Sequence, residues 1–600
     1  MPNAIRRIRR AGLRLGLQGD WYMYLLAAGI GLLMGVVATL FLAPLRAIES
    51  AETALDPTWI WLLVLVGPAF GGLLVGLVRR GINAPYIGPG VTTVIYAVLR
   101  SRGRIRTRVG IQKWICSTLT IGSGGSAGAE GPIVTIGAVL GSTVGRALGV
   151  NSQNGTTLLG CGAAAGIAAV FNAPIAGVLF VMEILLRDFS LRTFTPIVIA
   201  AVVASASIQG ILHDAAIFEL SGDFIVQEGN FQMLFMPAYI LLGLACGIIG
   251  AVFIRGLDIS SRALGAIPVP DWTRPAIGGV LLAVLGLLSL LILGPELPAF
   301  YGNGYPEITH LLSPGAYEVG EAAAGERMLI VTLLALLCFK LVGTCLTIGS
   351  GGAGGMFAPS LMMGALIGAA LGLGLEWVGL LEHGTPARFA LVGMAAMVAS
   401  VTHAPLTGIL IVYELTRHYQ IILPLMLAAV VATIVARWLC RDSIYSARLR
   451  EAGIRIGTTG EMTILSRLTV HDLLLDEATT VRLKDPASSL VALAEDQSAD
   501  DFVVVDGDGE YCGMVTNQDL KAALVFREAI PLLQVSELHR TDLPSVAPDE
   551  TLDVVLEKFS RADVDALPVL TGPNGRQVSG VVTRTRLMKR YQKALDQTSA

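Results

Sequence analysis

Charge is what this 600-residue chain has least of: Asp, Glu, Lys and Arg make up 15% of it, where a soluble domain carries about a quarter. With 53% hydrophobic residues, that scarcity excludes a soluble globular protein and leaves a membrane chain. Cysteine is sparse and scattered (Cys116, Cys161, Cys246, Cys338, Cys345, Cys440 and Cys512), with no CxxC and no neighbouring His cluster. A disulfide framework and a zinc site are thereby set aside. The glycine-rich runs lack the GK[ST] ending of a phosphate-binding loop. No Ser/His/Asp set, metal-ligand cluster or paired acids stand in a pocket-like context, so an enzyme is not expected. The body also has few acids beside its breaks, whereas a magnesium-type cation channel or transporter needs an oxygen-rich lining; it stands as the alternative of a different class. The net charge of −3 conceals acids gathered after Gly460, and no nucleic-acid partner is expected.

What is present is apolar length. Stretches at 21–45, 59–78, 191–211, 236–255, 277–293, 328–348, 357–378 and 421–439 approach the ~20 residues that span a bilayer. The first is too long for a cleaved signal peptide. Others, at 131–148, 156–170 and 404–415, are interrupted by Gly and Pro and predict helices that enter without crossing or cross obliquely. Irregular backbone at membrane depth is tolerated only inside protein or beside a water-filled cavity, so the breaks point to a pore or binding site.

Positive charge predicts orientation. Arg6, Arg7, Arg9, Arg10 and Arg14 precede the first stretch, and Arg100, Arg102, Arg104, Arg106 and Arg108 lie in a later loop; both are expected inside. The segment 213–232 carries Asp214, Glu219, Asp223 and Glu228 without Lys or Arg and is expected outside. Arg437, Arg441, Arg448, Arg450 and Arg455 bring the chain back inside.

The apolar body is duplicated. TIGSGGSAGAEGP (120–132) returns as TIGSGGAGGMFAP (347–359), and FNAPIAGVLFVME (171–183) returns as THAPLTGILIVYE (402–414). Because repeat one starts inside and ends outside while repeat two does the reverse, the copies must be inverted, which places a substrate site near the midplane where interrupted helices converge. The glycines alone are equally compatible with close helix packing. Pro132 and Pro359 add a helix start to each break, and free N–H groups with the helix dipole favour an anion there. Glu130, expected two residues before a helix start, can take the anion's place and leave it on protonation, as a gate or exchange partner; an acidic helix cap is the bland alternative. Glu183 and Glu414 recur in both copies and read as structural. His403, which replaces Asn172, reads as packed or capping. Lys113 and Lys340 either raise the local potential or snorkel to the interface.

On these motifs the chain resembles the CLC chloride channels and anion–proton exchangers. GAEGP at 128–132 matches the family's GREGP with Ala129 in place of the basic residue. Gly355, Met356, Phe357, Ala358 and Pro359 match GxFxP, and Tyr445 in SIYSARL matches the ion-contacting tyrosine. The resemblance implies an all-α polytopic body of inverted repeats, a homodimer with one pore per subunit, and transport of a small inorganic anion, chloride or nitrate, through the lipid bilayer. It implies an anion site at Gly88, Pro89, Gly90, Gly128, Gly131, Gly355, Met356, Phe357, Ala358 and Tyr445, gated by Glu130. Two departures bear on mechanism. GPGVT at 88–92 stands where the family has GSGIP, and Pro89 at the serine position goes with nitrate preference in relatives. Ile184 occupies the position where exchangers carry a proton-delivering glutamate, so a channel-like or weakly coupled conductor is expected, with a proton-coupled exchanger as the alternative.

After about Gly460 the composition becomes that of a soluble α/β domain with its own repeat: 502–520 pairs with 567–587, aligned at Thr516 and Thr583. Each copy reads as strand, turn, strand and helix, resembling a tandem CBS pair. That resemblance implies an adenosine-nucleotide site at Thr516 and Asp519, with Thr583 in a second copy where Arg586 replaces the acid; a purely structural pair fits equally. No cofactor is otherwise required. The expected organisation is a basic cytoplasmic N-terminus (1–20), membrane repeat one (21–212), an outward linker (213–232), membrane repeat two (233–450), a linker (451–465) and CBS motifs at 466–525 and 534–593. Compact loops and the lack of targeting signals suggest a bacterial inner membrane, with both termini cytoplasmic.

Overall fold

In the first 456 residues each half of the chain forms the same succession of eight helices among the described residues. The first half gives α1 (Trp21–Glu52), α2 (Pro57–Gly81), α3 (Gly90–Arg100), α4 (Thr107–Gly122), α5 (Glu130–Leu148), α6 (Ser152–Phe171), α7 (Pro174–Phe180, continued by a π-helical turn Val181–Leu186) and α8 (Leu191–Leu212). The second gives α9 (Met236–Gly265), α10 (Arg274–Leu293), α11 (Tyr305–Leu311), α12 (Ala323–Gly349), α13 (Phe357–Trp377), α14 (Pro386–Thr402), α15 (Pro405–Thr416) and α16 (Ile422–Leu439), and a short α17 (Ser446–Glu451) follows. The computed structural model describes residues 21–52, 57–82, 88, 90–101, 103–150, 152–212, 235–294, 297–317, 323–380, 386–451, 465, 468–497, 501–525, 528, 530–562, 564–572 and 576–599. The N-terminal arm 1–20, Pro89, the linker 213–232 and nearly all of 451–465 lie outside them.

Among the described residues ten helices are long and apolar enough to cross a membrane, and the protein is a multi-pass membrane protein. All eight uninterrupted stretches are helices. The interrupted ones divide: α5 and α6 are long enough to cross, whereas α15 has only 12 residues. Gly and Ala lower the hydropathy of α5 and α6 without shortening them, because the neighbours they permit shield the helices from lipid. The apolar stretches of α6 and α13 are 83% buried, against 28% for α2. Side chains such as Leu291 (76% exposed) and Trp438 (84% exposed) form an outer apolar surface suited to a bilayer.

The inner packing is the same in both halves. A Cβ added at Gly137 of α5 would lie 2.1 Å from the Gly162 carbonyl oxygen of α6, and one at Gly364 of α13 would lie 2.2 Å from that of Gly393 of α14. Only glycine lets these backbones touch, the membrane equivalent of a tight small-residue seam. The expected starts of α5 and α13 shift: the helices begin at Glu130 and Phe357 themselves, with Pro132 and Pro359 inside the first turn, where a missing N–H breaks no helical bond.

Residues from 457 onward form a separate unit. Strands β1 (Thr480–Arg482), β2 (Phe502–Val505) and β3 (Tyr511–Val515) make a sheet in that order, β1 parallel and β3 antiparallel to β2. Strands β4 (Ala566–Thr571) and β5 (Gln577–Thr583) form an antiparallel pair. Helix α18 (Asn517–Leu524) follows β3 and α19 (Arg584–Ser599) follows β5, giving the expected strand, turn, strand and helix twice. Alternate strand residues such as Val503, Met514, Leu567 and Val582 are fully buried in one apolar core.

Candidate functional site

The two glycine-rich breaks pair with each other. Gly128 donates its N–H to the Gly355 carbonyl at 2.8 Å and accepts from the Gly355 N–H at 2.7 Å, a two-residue antiparallel bridge between equivalent positions. The flanks repeat the exchange: the Ser126 N–H donates to Thr347 Oγ1 and the Ala353 N–H to Thr120 Oγ1, each at 3.1 Å. Buried N–H groups of the breaks are thus satisfied by the opposite copy, as membrane depth demands. The bridge fixes the first turns of α5 and α13 side by side, and Gly131 lies against Gly355, where an added Cβ would approach its Cα to 3.0 Å.

Across this bridge lies Glu130, 4% exposed. A Cβ on Gly128 would sit 1.9 Å from Glu130 Oε2, and one on Gly355 2.8 Å from it, so the carboxylate rests where only glycines leave room. Its Oε1 accepts a 2.6 Å hydrogen bond from the Tyr305 hydroxyl. Among the described residues no donor meets Oε2 at hydrogen-bond geometry. Beside the carboxylate is a small cavity lined by Val91, Glu130, Gly131, Val134, Ile167, Phe171, Phe180, Phe357, Ile411 and Tyr445. Phe171 packs on Phe357 with centroids 5.9 Å apart, and Phe180 meets Tyr445 edge-on at 6.4 Å. The lining is apolar apart from Glu130 and the Tyr445 hydroxyl.

Of the expected residues, Glu130, Gly131, Phe357 and Tyr445 line this cavity, while Gly128 and Gly355 form the bridge beneath the carboxylate. Met356 precedes α13 as its capping residue and Ala358 lies in its first turn. Gly90 opens α3 against α5: a Cβ there would meet the Gly131 carbonyl and Thr135 Oγ1 at 2.4 Å each. Gly88 takes a positive φ of 107° and its carbonyl accepts from Lys113 Nζ at 3.1 Å. Pro89 lies outside the described residues. Ile184 is buried in the π-helical turn at 5% exposure and brings no ionisable group there.

The lysines do not snorkel. Lys113 is 5% and Lys340 0% exposed; Lys340 Nζ donates to the carbonyls of Phe300 and Gly302 at 3.0 Å each. Each lysine holds the loop that leads into its repeat's short helix, α3 or α11. Glu183 and Glu414 cap each other's helices. Glu183 Oε2 accepts from the Thr407 N–H at 2.8 Å, at the start of α15, and Glu414 Oε2 from the Ala176 N–H at 2.6 Å, at the start of α7. Asn172 and His403 both adopt left-handed backbone, φ 52° and 58°, at the turns before these helices, and the His403 carbonyl accepts from Arg437. Tyr305 and the ring of Phe180 were not foreseen: Tyr305 lies outside the repeated motifs, and Phe180, inside 171–183, is an apolar residue that becomes Ile411 in the second copy.

In the C-terminal unit Thr516 and Asp519 serve each other. Thr516 Oγ1 donates to Asp519 Oδ2 at 2.6 Å and the Thr516 N–H donates to the same oxygen at 3.0 Å, a capping box at the start of α18. In the second copy Arg586 pairs with Asp476, to which Thr583 Oγ1 also donates. In the first copy the cap engages Asp519 Oδ2. The second presents a cation where an acid would be needed.

Comparison with known proteins agrees with this architecture. The chain belongs to the voltage-gated chloride channel (CLC) family, whose model matches residues 71–437, and a CBS domain model matches residues 535–593. It is 32% identical over 404 residues to the voltage-gated ClC-type chloride channel ClcB of Escherichia coli K12, covering 66% of this chain and 89% of that protein. A slow cyanobacterial Cl−/H+ antiporter has a similar structure, with a TM-score of 0.61 and 24% identity over 72% of this chain and 97% of that one. A eukaryotic CLC transporter matches 94% of this chain and 98% of its own, with a TM-score of 0.56 and 19% identity.

Proposed function

We propose that the chain moves a small inorganic anion, chloride or nitrate, past Glu130, and that Glu130 is its gate. The observation that carries this reading is the position of the Glu130 carboxylate, laid over the Gly128–Gly355 bridge beside the first turns of two helices. Helix N-termini attract negative charge without contributing a full positive one, so an arriving anion and the carboxylate compete for one place. Protonation removes the carboxylate's charge and lets its side chain leave. The apolar cavity walls strengthen that competition by keeping water away.

Channel-like or weakly coupled conduction is the reading that Ile184 supports, because a buried aliphatic side chain cannot relay a proton. Proton-coupled exchange requires another route to Glu130. The cation pathway of a different class finds no support in this site, whose walls carry one acid and mostly hydrocarbon. A non-enzymatic homodimer in a bacterial inner membrane, with both termini inside, completes the proposal, and the tail is assigned at most one adenosine-nucleotide site, at Thr516 and Asp519.

The test is anion flux from proteoliposomes with internal pH recorded simultaneously, for chloride and nitrate, comparing the wild type with Glu130→Gln. A conductor gated by Glu130 gives flux without stoichiometric protons, raised several-fold and made insensitive to pH in the variant. Proton movement against its gradient makes the protein an exchanger, and equal flux in both proteins removes Glu130 as the gate.

A further inference from the structure

We infer that Tyr305 is a positioning residue for Glu130, holding its carboxylate over the bridge in the closed state; this rests on the reading of Glu130 as the gate. The bond joins the two repeats: the acid opens α5 in the first and the phenol opens α11 in the second, 175 positions apart in the chain. A phenol donating at 2.6 Å to a carboxylate makes a charge-assisted hydrogen bond, stronger than a neutral one. No other side chain donates to this carboxylate among the described residues.

The phenol is delivered by a loop with little freedom. Gly304 takes a left-handed φ of 83°, and a Cβ there would lie 2.4 Å from the Met362 sulfur. Asn303 Oδ1 accepts the Tyr305 N–H at 3.0 Å. The buried Lys340 ammonium gathers the carbonyls of Phe300 and Gly302, and the Gly302 carbonyl also accepts the Ala127 N–H at 3.1 Å. The loop is therefore anchored to the break that precedes Glu130 as well as to its own repeat, so hydroxyl and carboxylate are held in register from both sides. Opening the gate then requires breaking this bond, and a phenol O–H binds the charged carboxylate better than the protonated one.

The test is a double-mutant cycle on flux. Tyr305→Phe keeps the ring and removes one oxygen; we expect about tenfold faster anion flux and a shifted pH profile in the Glu130 background. In Glu130→Gln the same change should alter flux less than twofold. If Glu130→Gln is fast and Tyr305→Phe matches the wild type, the gate stands and the positioning role is overturned. Equal acceleration in both backgrounds overturns it too, as a general loosening of the pore. If Glu130→Gln itself leaves flux unchanged, the gate reading fails first. Should Tyr305→Phe not give a monodisperse protein, 3-fluorotyrosine at position 305 decides. This stronger donor of the same shape should slow flux, and unchanged flux would overturn the inference.

Discussion

The two halves of the membrane body are most alike where they hold each other and least alike where the cavity lies. Lys113 and Lys340 both clamp loop carbonyls, Thr120 and Thr347 both accept from the opposite break, and Glu183 and Glu414 cap each other's helices. At the bridge itself the copies part: Glu130 opens α5 and Phe357 opens α13. The phenol that reaches Glu130 comes from α11, while its counterpart α3 opens with Gly90. Repetition therefore marks scaffold, and its failure marks the site. On the proposed reading, a charge on one side only leaves one helix N-terminus available to an anion while Glu130 guards the other.

Removing that asymmetry should have the largest effect. Phe357→Glu puts a second carboxylate at the mouth of α13, where it would compete with the anion and repel Glu130; we expect anion flux to fall more than tenfold. Phe357→Gln, of similar size without the charge, should fall much less. Equal losses would mean that the aromatic ring matters, and that the charge asymmetry does not.

Lys340→Met comes next, because it leaves the Phe300 and Gly302 carbonyls without their buried donor. Each stranded polar group costs about 1–3 kcal/mol, so a clear drop in thermal stability is expected. Lys113→Met removes the buried donor to the Gly88 carbonyl and should lower stability as well. A thermal scan of both variants in detergent compares them directly, and a loss in only one of them would show that the two clamps are not equivalent.

This division explains what could be seen in the sequence. Apolar runs, repeated glycines and paired acids are local patterns, so eight spanning helices, both breaks and Glu130 were legible from composition and spacing. The buried helix α14 was not, because its 17 residues, with Arg388 in the first turn, fall short of a full span, although every residue from Phe389 to Thr402 is buried. Tyr305 was illegible for a different reason: its role comes from a contact across 175 positions, and no motif surrounds it. The buried state of the lysines was equally hidden, since stems that snorkel and ammonium groups that clamp carbonyls have the same sequence.

Smaller and symmetrical effects are expected from the reciprocal caps. Glu183→Gln and Glu414→Gln each weaken charge-assisted bonds to helix N–H groups and should each destabilise by about 1–2 kcal/mol. Because the pairs are related by the repeat, the two losses should be similar in thermal unfolding, Glu183→Gln slightly the larger since Glu183 also accepts from the Thr407 hydroxyl at 2.7 Å where the first copy has Ala176. A change in proton coupling with Glu183→Gln alone would break the comparison and give that residue a transport role.

The smallest effect should lie in the C-terminal unit, where repetition again separates two readings. Thr516 caps α18 together with Asp519, whereas Arg586 stands at the position equivalent to Asp519 and pairs with Asp476. Thr516→Ala should cost about 1 kcal/mol of stability, the ordinary value of a lost cap, and leave anion flux unchanged. Isothermal titration of the full-length protein with ATP and with AMP separates the readings. Binding of one nucleotide per chain that Thr516→Ala abolishes assigns a sensor to the first copy. No heat with either nucleotide leaves the capping box as the whole function of these residues. Binding that survives Thr516→Ala and is lost in Arg586→Ala would move the site to the copy with the altered acid, because a guanidinium freed from Asp476 can meet a phosphate directly.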